Sequence, residues 1–566
     1  MKNNNIPQAI SNALTSLKIN NDVLFFSFLV FCSEFSLFKL LQYTTDYLNA
    51  LTVISYALVG LGLGSWLTNW ISTKGTPLFL NLLAAFWLCF TIAIWKILRA
   101  PSSGPDSLLI SLAFIPSGIY LAKAFSTRMA HEVYWADLAG AALATVVTFL
   151  AIPLLSTEGF MGLLLLSVCV LGLIKCFYDP QIGKLRTALF LTLFCFSTIL
   201  LYGIQTIPEW SPYYLIKKSP KKTLYKAFNR LTNYKLLKKY DNLVSRIEVI
   251  QSSDPKKKNT YRVVFDGIDN DGFDNARPSN TSKDARFVWG LFENPRIFIV
   301  GASAQGIIKT ARNITTPDGV SGVEINPAIY QIMTKDFASV ANFPYQNTSI
   351  KVNNALHYLR NSKETYDIIT LINIHSTARI SIPGSPDTMQ CVESYETYLK
   401  HLSDRGYLMI EERPDTKASD NAIHRQIVTI YEALKRSGAT NPTAHFFIYS
   451  WRYSNDNKFK PHTFDSYTAM LVKKTPLTEA DRKAILDWYS IRIKTPPSST
   501  LPTAKEITTA EKKSKFRLDY LKNFYETKRY SHLFDSITKG TLSQDYPEWD
   551  LRIVDLDKPY LPYIHK

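Results

Sequence analysis

Apolar and charged residues occupy different parts of this chain of 566 residues. Apolar residues crowd into positions 22–205 in runs separated by short polar or Gly/Pro breaks, such as Ser72-Thr73-Lys74-Gly75 and Pro101-Ser102-Ser103-Gly104-Pro105. A helix of about 20 apolar residues crosses the roughly 30 Å of bilayer hydrocarbon. The segments 22–43, 47–70, 76–97, 107–126, 133–155, 158–177 and 183–205 therefore predict an α-helical transmembrane bundle of about seven spans. The first 21 residues are polar and lack the short apolar core and small-residue cleavage site of a secretory signal, so the first apolar segment is expected to be a retained span.

Beyond position 240 the period changes. Short strand-like segments at 245–251 and 261–265 lead into the turn-rich Asp266-Gly267-Ile268-Asp269-Asn270-Asp271-Gly272. Strands are then expected at 296–300, 319–324, 348–352, 367–372 and 407–410, alternating with helices at 304–313, 327–337, 354–361 and 393–402. That alternation predicts an open, mostly parallel sheet with helices on both faces, a Rossmann-like α/β domain. The expected organisation is a polar tail (1–21), the bundle (22–205), a basic juxtamembrane linker (206–240) and a small β segment (241–285). A nucleoside-cofactor domain (286–475) and a charged, Pro-rich peripheral extension (476–566) follow.

The formal net charge of +17 would suit nucleic acid, but its distribution points elsewhere. Lys217, Lys218, Lys221, Lys222, Lys226, Arg230, Lys235, Lys238 and Lys239 follow the last span with no acidic residue among them. Such a run fits anionic lipid headgroups on the cytoplasmic side, and no nucleic-acid motif accompanies it, so membrane lipids are the expected partner and nucleic acid is not. In a seven-span arrangement Lys74, Lys123, Arg128, Lys184 and Arg186 fall on one side, and Lys96, Arg99 and the basic run on the other. Loop charge alone thus leaves the orientation open. The six cysteines show no metal-ligand spacing, and no metal site is expected. Glu34 and Asp137, inside the spans, are costly there unless they find a partner or a function.

The candidate chemistry lies at the ends of the predicted strands, where open α/β sheets bind ligands. The first strand ends in Val300-Gly301-Ala302-Ser303-Ala304-Gln305-Gly306 and runs into a helix, a turn that lets a nucleoside approach the backbone. The second ends in Val323-Glu324-Ile325-Asn326-Pro327, where an acid can accept hydrogen bonds from ribose hydroxyls.

With these residues in hand, the soluble part resembles the spermidine-synthase-like branch of the class I S-adenosylmethionine-dependent transferases, and the whole chain resembles its membrane-embedded form. The matching segments are Ser245-Arg246-Ile247-Glu248-Val249, Val264-Phe265-Asp266-Gly267, the loop from Gly301 to Gly306, Val323-Glu324-Ile325-Asn326-Pro327, Tyr366-Asp367-Ile368-Ile369 and Val392-Glu393-Ser394-Tyr395. Ile553-Val554-Asp555-Leu556-Asp557-Lys558-Pro559-Tyr560 matches near the end. In the spans, Glu34, Leu61-Gly62-Leu63-Gly64-Ser65 and Tyr134-Trp135-Ala136-Asp137-Leu138-Ala139-Gly140-Ala141 have counterparts.

The resemblance implies a cofactor, S-adenosylmethionine or its decarboxylated form. Gly301, Ser303 and Gly306 would shape its loop, Glu324 would hold the ribose, and Asn354 would accept a hydrogen bond from the adenine. It also implies a bacterial inner (plasma) membrane protein with its C-terminal domain in the cytoplasm, where such cofactors are kept. Three positions depart from the pattern: Ser303-Ala304-Gln305 where the family carries more glycine, Asn354 in place of an aspartate, and Leu371-Ile372-Asn373-Ile374-His375 where aminopropyl transfer needs an acid. The family's tyrosine before the next helix is replaced in the neighbourhood of Gln390 and Cys391. Methyl transfer, which needs little beyond positioning and one base, tolerates these changes better, with His375 as the base and Asn373 beside it on the acceptor side. The acceptor is a small molecule or lipid that the sequence does not identify. A catalytically degenerate nucleoside-binding domain that regulates a membrane transporter or scaffold is the alternative.

Overall fold

A computed structural model describes residues 21–44, 47–72, 75–99, 105–179, 183–206, 234–242, 244–252, 261–266, 268–273, 288–304, 306–312, 314–372, 388–412, 417–453, 466–493, 516–518, 528–547 and 551–553. The chain divides into two compact units, Met1–Lys256 with Val264–Asp269, and Lys257–Val263 with Asn270–Lys566.

The first unit holds helices α1 (Asn21–Thr44), α2 (Tyr47–Leu67), α3 (Gly75–Arg99), α4 (Ile115–Thr127), α5 (Ala130–Tyr178) and α6 (Lys184–Thr206), with a 3-10 segment at Pro105–Phe114 leading into α4. Six helical segments among the described residues are long and apolar enough to cross a membrane. The expected spans 133–155 and 158–177 are the two halves of α5, which breaks at Ser156, a residue with φ 64° and ψ 166°. The chain doubles back there. Asp137 in the first half accepts a hydrogen bond from Ser27 of α1, and Asp22 of α1 pairs with Lys175 in the second half at 3.1 Å. Residues 137 and 175 would lie about 57 Å apart along a straight helix, yet both meet the same end of α1.

Glycines let these helices approach closely. A Cβ at Gly64 of α2 would run into the Ile115 carbonyl, and one at Gly118 of α4 would run into that of Leu61. Small residues at such crossings bring backbones into van der Waals contact where lipid offers no hydrophobic drive.

Two strands join this unit, β1 (Tyr234–Asp241) and β2 (Arg246–Ser252), paired antiparallel from Tyr234↔Ser252 to Asp241↔Arg246. They belong to a four-stranded sheet ordered β1-β2-β3-β4, with β3 at Tyr261–Phe265 and β4 at Ile268–Phe273. β1 lies inside the segment expected to be a linker, and its Lys239 pairs with Glu158 at 3.0 Å. The basic run from 217 to 233 lies outside the described residues.

The α5 break is stitched to this hairpin by buried charge. Asp241 accepts from the Thr157 amide (2.8 Å) and hydroxyl (2.6 Å), capping the second half-helix. Arg246 donates to both oxygens of Glu158 (2.6 and 3.1 Å) and to Glu248 (3.0 Å), while its guanidinium lies 4.4 Å from the ring centroid of Tyr43. The Tyr43 hydroxyl donates to the other Glu248 oxygen at 2.6 Å, and Lys39 donates to the Asn242 carbonyl at 2.9 Å. Burial works against the charge on Arg246, but Glu158 and Glu248 beside it hold its pKa well above the ordinary value.

The second unit carries an eight-stranded sheet ordered β12-β10-β11-β9-β8-β5-β6-β7. Its strands are β5 (Ile297–Val300), β6 (Val320–Glu324), β7 (Ser349–Val352), β8 (Tyr366–Ile372), β9 (Leu402–Glu412), β10 (Phe446–Tyr453), β11 (Ser466–Lys473) and β12 (Phe516–Leu518). From β7 through β9 all pairs are parallel, whereas β11, β10 and β12 add antiparallel. The helices include α7 (Gly306–Arg312), α8 (Pro327–Gln331), α9 (Ala355–Arg360), α10 (Val392–Lys400), α11 (Lys417–Arg436), α12 (Glu479–Ile493) and α13 (Lys528–Lys539). Leu356, Tyr395, Ile427 and Leu533 pack with Val300, Leu371 and Ile410 in one buried core. The stretch after 475 is therefore more than a peripheral extension: β12 pairs with β10, and Leu533 is fully buried.

Candidate functional site

The strand order reverses between β5 and β8. From β5 the chain proceeds outward through β6 to β7, and from β8 in the other direction to β9. The carboxyl ends of β5 and β8 therefore flank the crevice where sheets of this kind hold ligands. β5 delivers Gly301 to that edge, and β6 ends in Glu324 beside it.

The loop after β5 is shaped by its backbone. Gly301 has φ +73°, and its amide and that of Ala302 both donate to the Val323 carbonyl at 3.0 Å. Ala302 and Ala304 are fully buried, so the loop turns its small side chains inward. Ser303 has φ +52°, a left-handed conformation that costs an L-residue roughly 1–2 kcal/mol and that glycine adopts freely. Two bonds hold the serine there: its N–H donates to Glu324 Oε2 at 2.9 Å, and Tyr345 donates its hydroxyl hydrogen to the Ser303 carbonyl. A position where glycine would be free of strain is thus occupied by a clamped serine.

Glu324 is 5 % exposed, and its other oxygen accepts from the Asn326 amide at 2.9 Å. Burial pushes its carboxyl above the ordinary value, against the pull of these amides. The Ile325 amide also bonds this carboxylate, and each carboxylate oxygen accepts two hydrogen bonds, so one further acceptor position exists beyond those filled by Ser303, Ile325 and Asn326. A Cβ at Gly301 or at Gly306 would meet nothing within 4 Å, so the space along the loop is open at both ends. Gln305, between them, lies outside the described residues.

Asn354 follows β7 but does not offer its amide oxygen to a ligand. That oxygen caps α9, accepting from Leu356 N at 3.0 Å and His357 N at 3.2 Å. A helix start leaves unpaired N–H groups, and asparagine satisfies them well. The expected acceptor role is corrected on that ground; the side-chain NH2 group can still donate. Asn373 and His375 follow β8 directly and lie outside the described residues. Gln390 and Cys391 are buried: Gln390 accepts from Gln426 at 2.6 Å, and Cys391 donates to the Thr388 carbonyl at 3.1 Å. Burial pushes the Cys391 thiol up, away from nucleophile chemistry.

One acid at this edge escapes the sequence pattern. Glu411, near the end of β9, is fully buried and stands in register with Ile372, the residue before Asn373. The strand expected at 407–410 stops one residue short of it, so an acid just past a predicted strand was the available signal. Among the described residues, no group of three or more His, Cys, Asp or Glu side chains is gathered as a metal ion would need.

Compared with solved structures, the chain is similar to spermidine synthase from Thermotoga maritima at 12% identity, covering 49% of this chain and 83% of that one with a TM-score of 0.30. It is similar to a spermidine synthase in complex with the transition-state analogue AdoDATO at 14% identity, with the same coverage and TM-score. A probable spermidine synthase from Corynebacterium glutamicum is 12% identical, covering 49% of this chain and 92% of that one, with a TM-score of 0.32. No protein-family model matches the sequence, and no curated protein matches it.

Proposed function

We propose that this protein is a membrane-bound transferase of spermidine-synthase type. It would take a methyl group from S-adenosylmethionine, or an aminopropyl group from the decarboxylated form, to an acceptor reached from the membrane. The observation that carries this reading is the Glu324 carboxylate at the switch point, bonded to the loop at Ser303 N, with acceptor capacity left and open space beside Gly301 and Gly306. When bound, the sulfonium supplies an electrophilic carbon and a neutral thioether leaving group. Glu324 would orient the ribose hydroxyls, Gly301 and Ser303 would bring backbone alongside, and the Asn354 amide group would donate towards the adenine. On the acceptor side, His375 would take the proton with Asn373 beside it, and Glu411 would supply the carboxylate that the stretch after β8 lacks. Methyl transfer is the favoured chemistry, because it depends less on a carboxylate that holds an amine.

Counting the two halves of α5 separately gives seven crossings, which would put the start of α1 and the C-terminal unit on opposite faces of the membrane. The C-terminal unit would then face the cytoplasm, with the basic run 217–239 against anionic lipid. The partition into tail, bundle, a linker ending before β1, a β segment, and a cofactor domain that takes in the stretch after 475 belongs to the same proposal.

Calorimetric titration of the full chain in micelles with S-adenosylmethionine tests the site. Glu324→Gln loses charge-assisted hydrogen bonds and should weaken binding by about 10- to 100-fold. Equal affinity in the variant, or no binding by the parent, overturns the reading. The replacement of the expected acid by Asn373 favours a second reading, a nucleoside-sensing domain that regulates the bundle. Binding without transfer of labelled alkyl groups to membrane extracts would select it.

A further inference from the structure

Glu34 sits in the middle of α1, about 15 Å of helix from Thr44, and is half-buried. Three other acids of these helices have found partners: Asp22 pairs with Lys175, Asp137 accepts from Ser27, and Glu158 binds Arg246, while Glu132 lies in the first turn of α5. Glu34 has no hydrogen bond or ion pair with any described residue. A carboxyl at that depth is expensive, and in membrane proteins such groups mark ligand sites or pathways.

Its surroundings on the helix are aromatic. Phe31, Phe35 and Phe38 stand three before, one after and four after Glu34, on the same side of α1. Phe31 and Phe35 are 41% and 38% exposed, and Phe28, one turn before Phe31, continues the stripe, its ring stacked 6.3 Å from that of Phe25. Aromatic faces attract cations, most strongly where water is excluded, and a carboxylate there needs a positive partner. The basic groups near this depth are not available for that role, since Lys39 is buried and donates to the Asn242 carbonyl.

We propose that this face of α1 binds an amphipathic organic ammonium from within the bilayer, its cationic head on Glu34 among Phe31, Phe35 and Phe38 and its alkyl body along Phe31 and Phe28. The proposal does not depend on the transferase reading, because it rests on a different unit of the chain and is tested without any cofactor.

The test uses the full chain in phosphatidylcholine vesicles and a hydrophobic carbodiimide, which converts an accessible protonated carboxyl to a stable N-acylurea detectable by peptide mass spectrometry. Glu34 should be labelled in the unliganded protein. Saturating dodecyltrimethylammonium, which has no nucleophilic nitrogen to trap the activated carboxyl as an amide, should lower the labelling about tenfold, whereas dodecanol, of equal chain length, should leave it unchanged. Labelling that dodecanol suppresses equally, or an absence of labelling at Glu34, overturns the proposal. So does labelling that falls as protein density in the vesicle rises, which would place a second copy on this face. The protection experiment uses the parent protein, so it stands whether or not Glu34→Gln folds.

Discussion

Removing Arg246 should cost more stability than any other single charge deletion in the first unit. The guanidinium is 3% exposed and faces Glu158, Glu248 and Asp241, which are 5%, 0% and 5% exposed. Arg246→Ala would leave these carboxylates with Lys39 and Lys239 alone, and Lys39 lies 4.0 Å from Asp241 without a hydrogen bond to it. Stranding buried charge by deleting one partner typically costs about 3–5 kcal/mol. The lost stacking on Tyr43 adds to this, because a desolvated cation–π contact contributes roughly 2 kcal/mol. The expected loss is therefore about 5–7 kcal/mol.

The assay is reversible unfolding of the purified chain in mixed micelles titrated with dodecyl sulfate and followed by tryptophan fluorescence. Glu158→Gln alone should cost less, because arginine keeps Glu248 as a partner. If the bidentate contact is what holds the α5 break to the hairpin, Arg246→Ala with Glu158→Gln should be less damaging than the sum of the singles. The coupling should be about 1–3 kcal/mol. Additivity within about 0.5 kcal/mol, or a loss below about 1 kcal/mol for Arg246→Ala, would refute the reasoning. The network would then be too well hydrated to act as a joint.

Other expectations follow from single contacts. Gly64→Val should destabilise the α2–α4 crossing by about 1–3 kcal/mol or more, read in the same micellar titration, while Gly62→Val, where a Cβ meets nothing, should be nearly silent. Asp367 accepts from Arg296 N–H, Ser403 and Arg405; burial works against its charge, but these bonds hold its carboxyl below the usual value. A depressed folded pKa means its contribution is present above about pH 4 and is lost as pH falls through the lower folded value. Urea midpoints of the parent and Asp367→Asn should accordingly differ by about 1–2 kcal/mol at pH 7 and converge under acid. Glu324 has the opposite shift, so if its ionised form holds ribose, S-adenosylmethionine affinity should begin to fall on acidification at a pH above the ordinary carboxyl value of about 4.3. Glu411→Gln should abolish labelled alkyl transfer while leaving cofactor affinity within about twofold, a split that a merely structural role would not produce.

Periodicity made most of the architecture legible, and the differences have identifiable causes. Counting apolar runs separated 133–155 from 158–177 because Ser156, Thr157 and Glu158 interrupt the hydrophobic run. In the structure the interruption is a single residue with non-helical dihedrals, so the two halves form one element of secondary structure while still doubling back. β1 escaped notice because Tyr234–Asp241 alternates poorly and carries three lysines, and only the ladder to β2 and the acid at Glu158 make that composition tolerable in a strand. β12 was hidden for the same reason: three residues in a charged stretch have no periodicity to read until β10 pairs with them.

The site divides along a similar line. The placement of Gly301, Gly306 and Glu324 at strand ends was readable because it depends on the backbone and strand order, which a one-dimensional pattern preserves. Asn354 was misjudged because its amide oxygen has two competing uses, and a helix start one residue later claims it. That competition also bears on Ser303. Ser303 departs from the expected glycine pattern, yet Glu324 and Tyr345 bond the two sides of its strained residue. The carboxylate that would bind ribose therefore also holds the loop against which the ribose would lie. A ligand competing for Glu324 would loosen Ser303, and this coupling should make Tyr345→Phe weaken S-adenosylmethionine binding by about tenfold although the tyrosine is assigned no contact with the cofactor. Unchanged affinity in that variant would mean that the loop keeps its shape without the clamp, and the strain at Ser303 would then have no bearing on function.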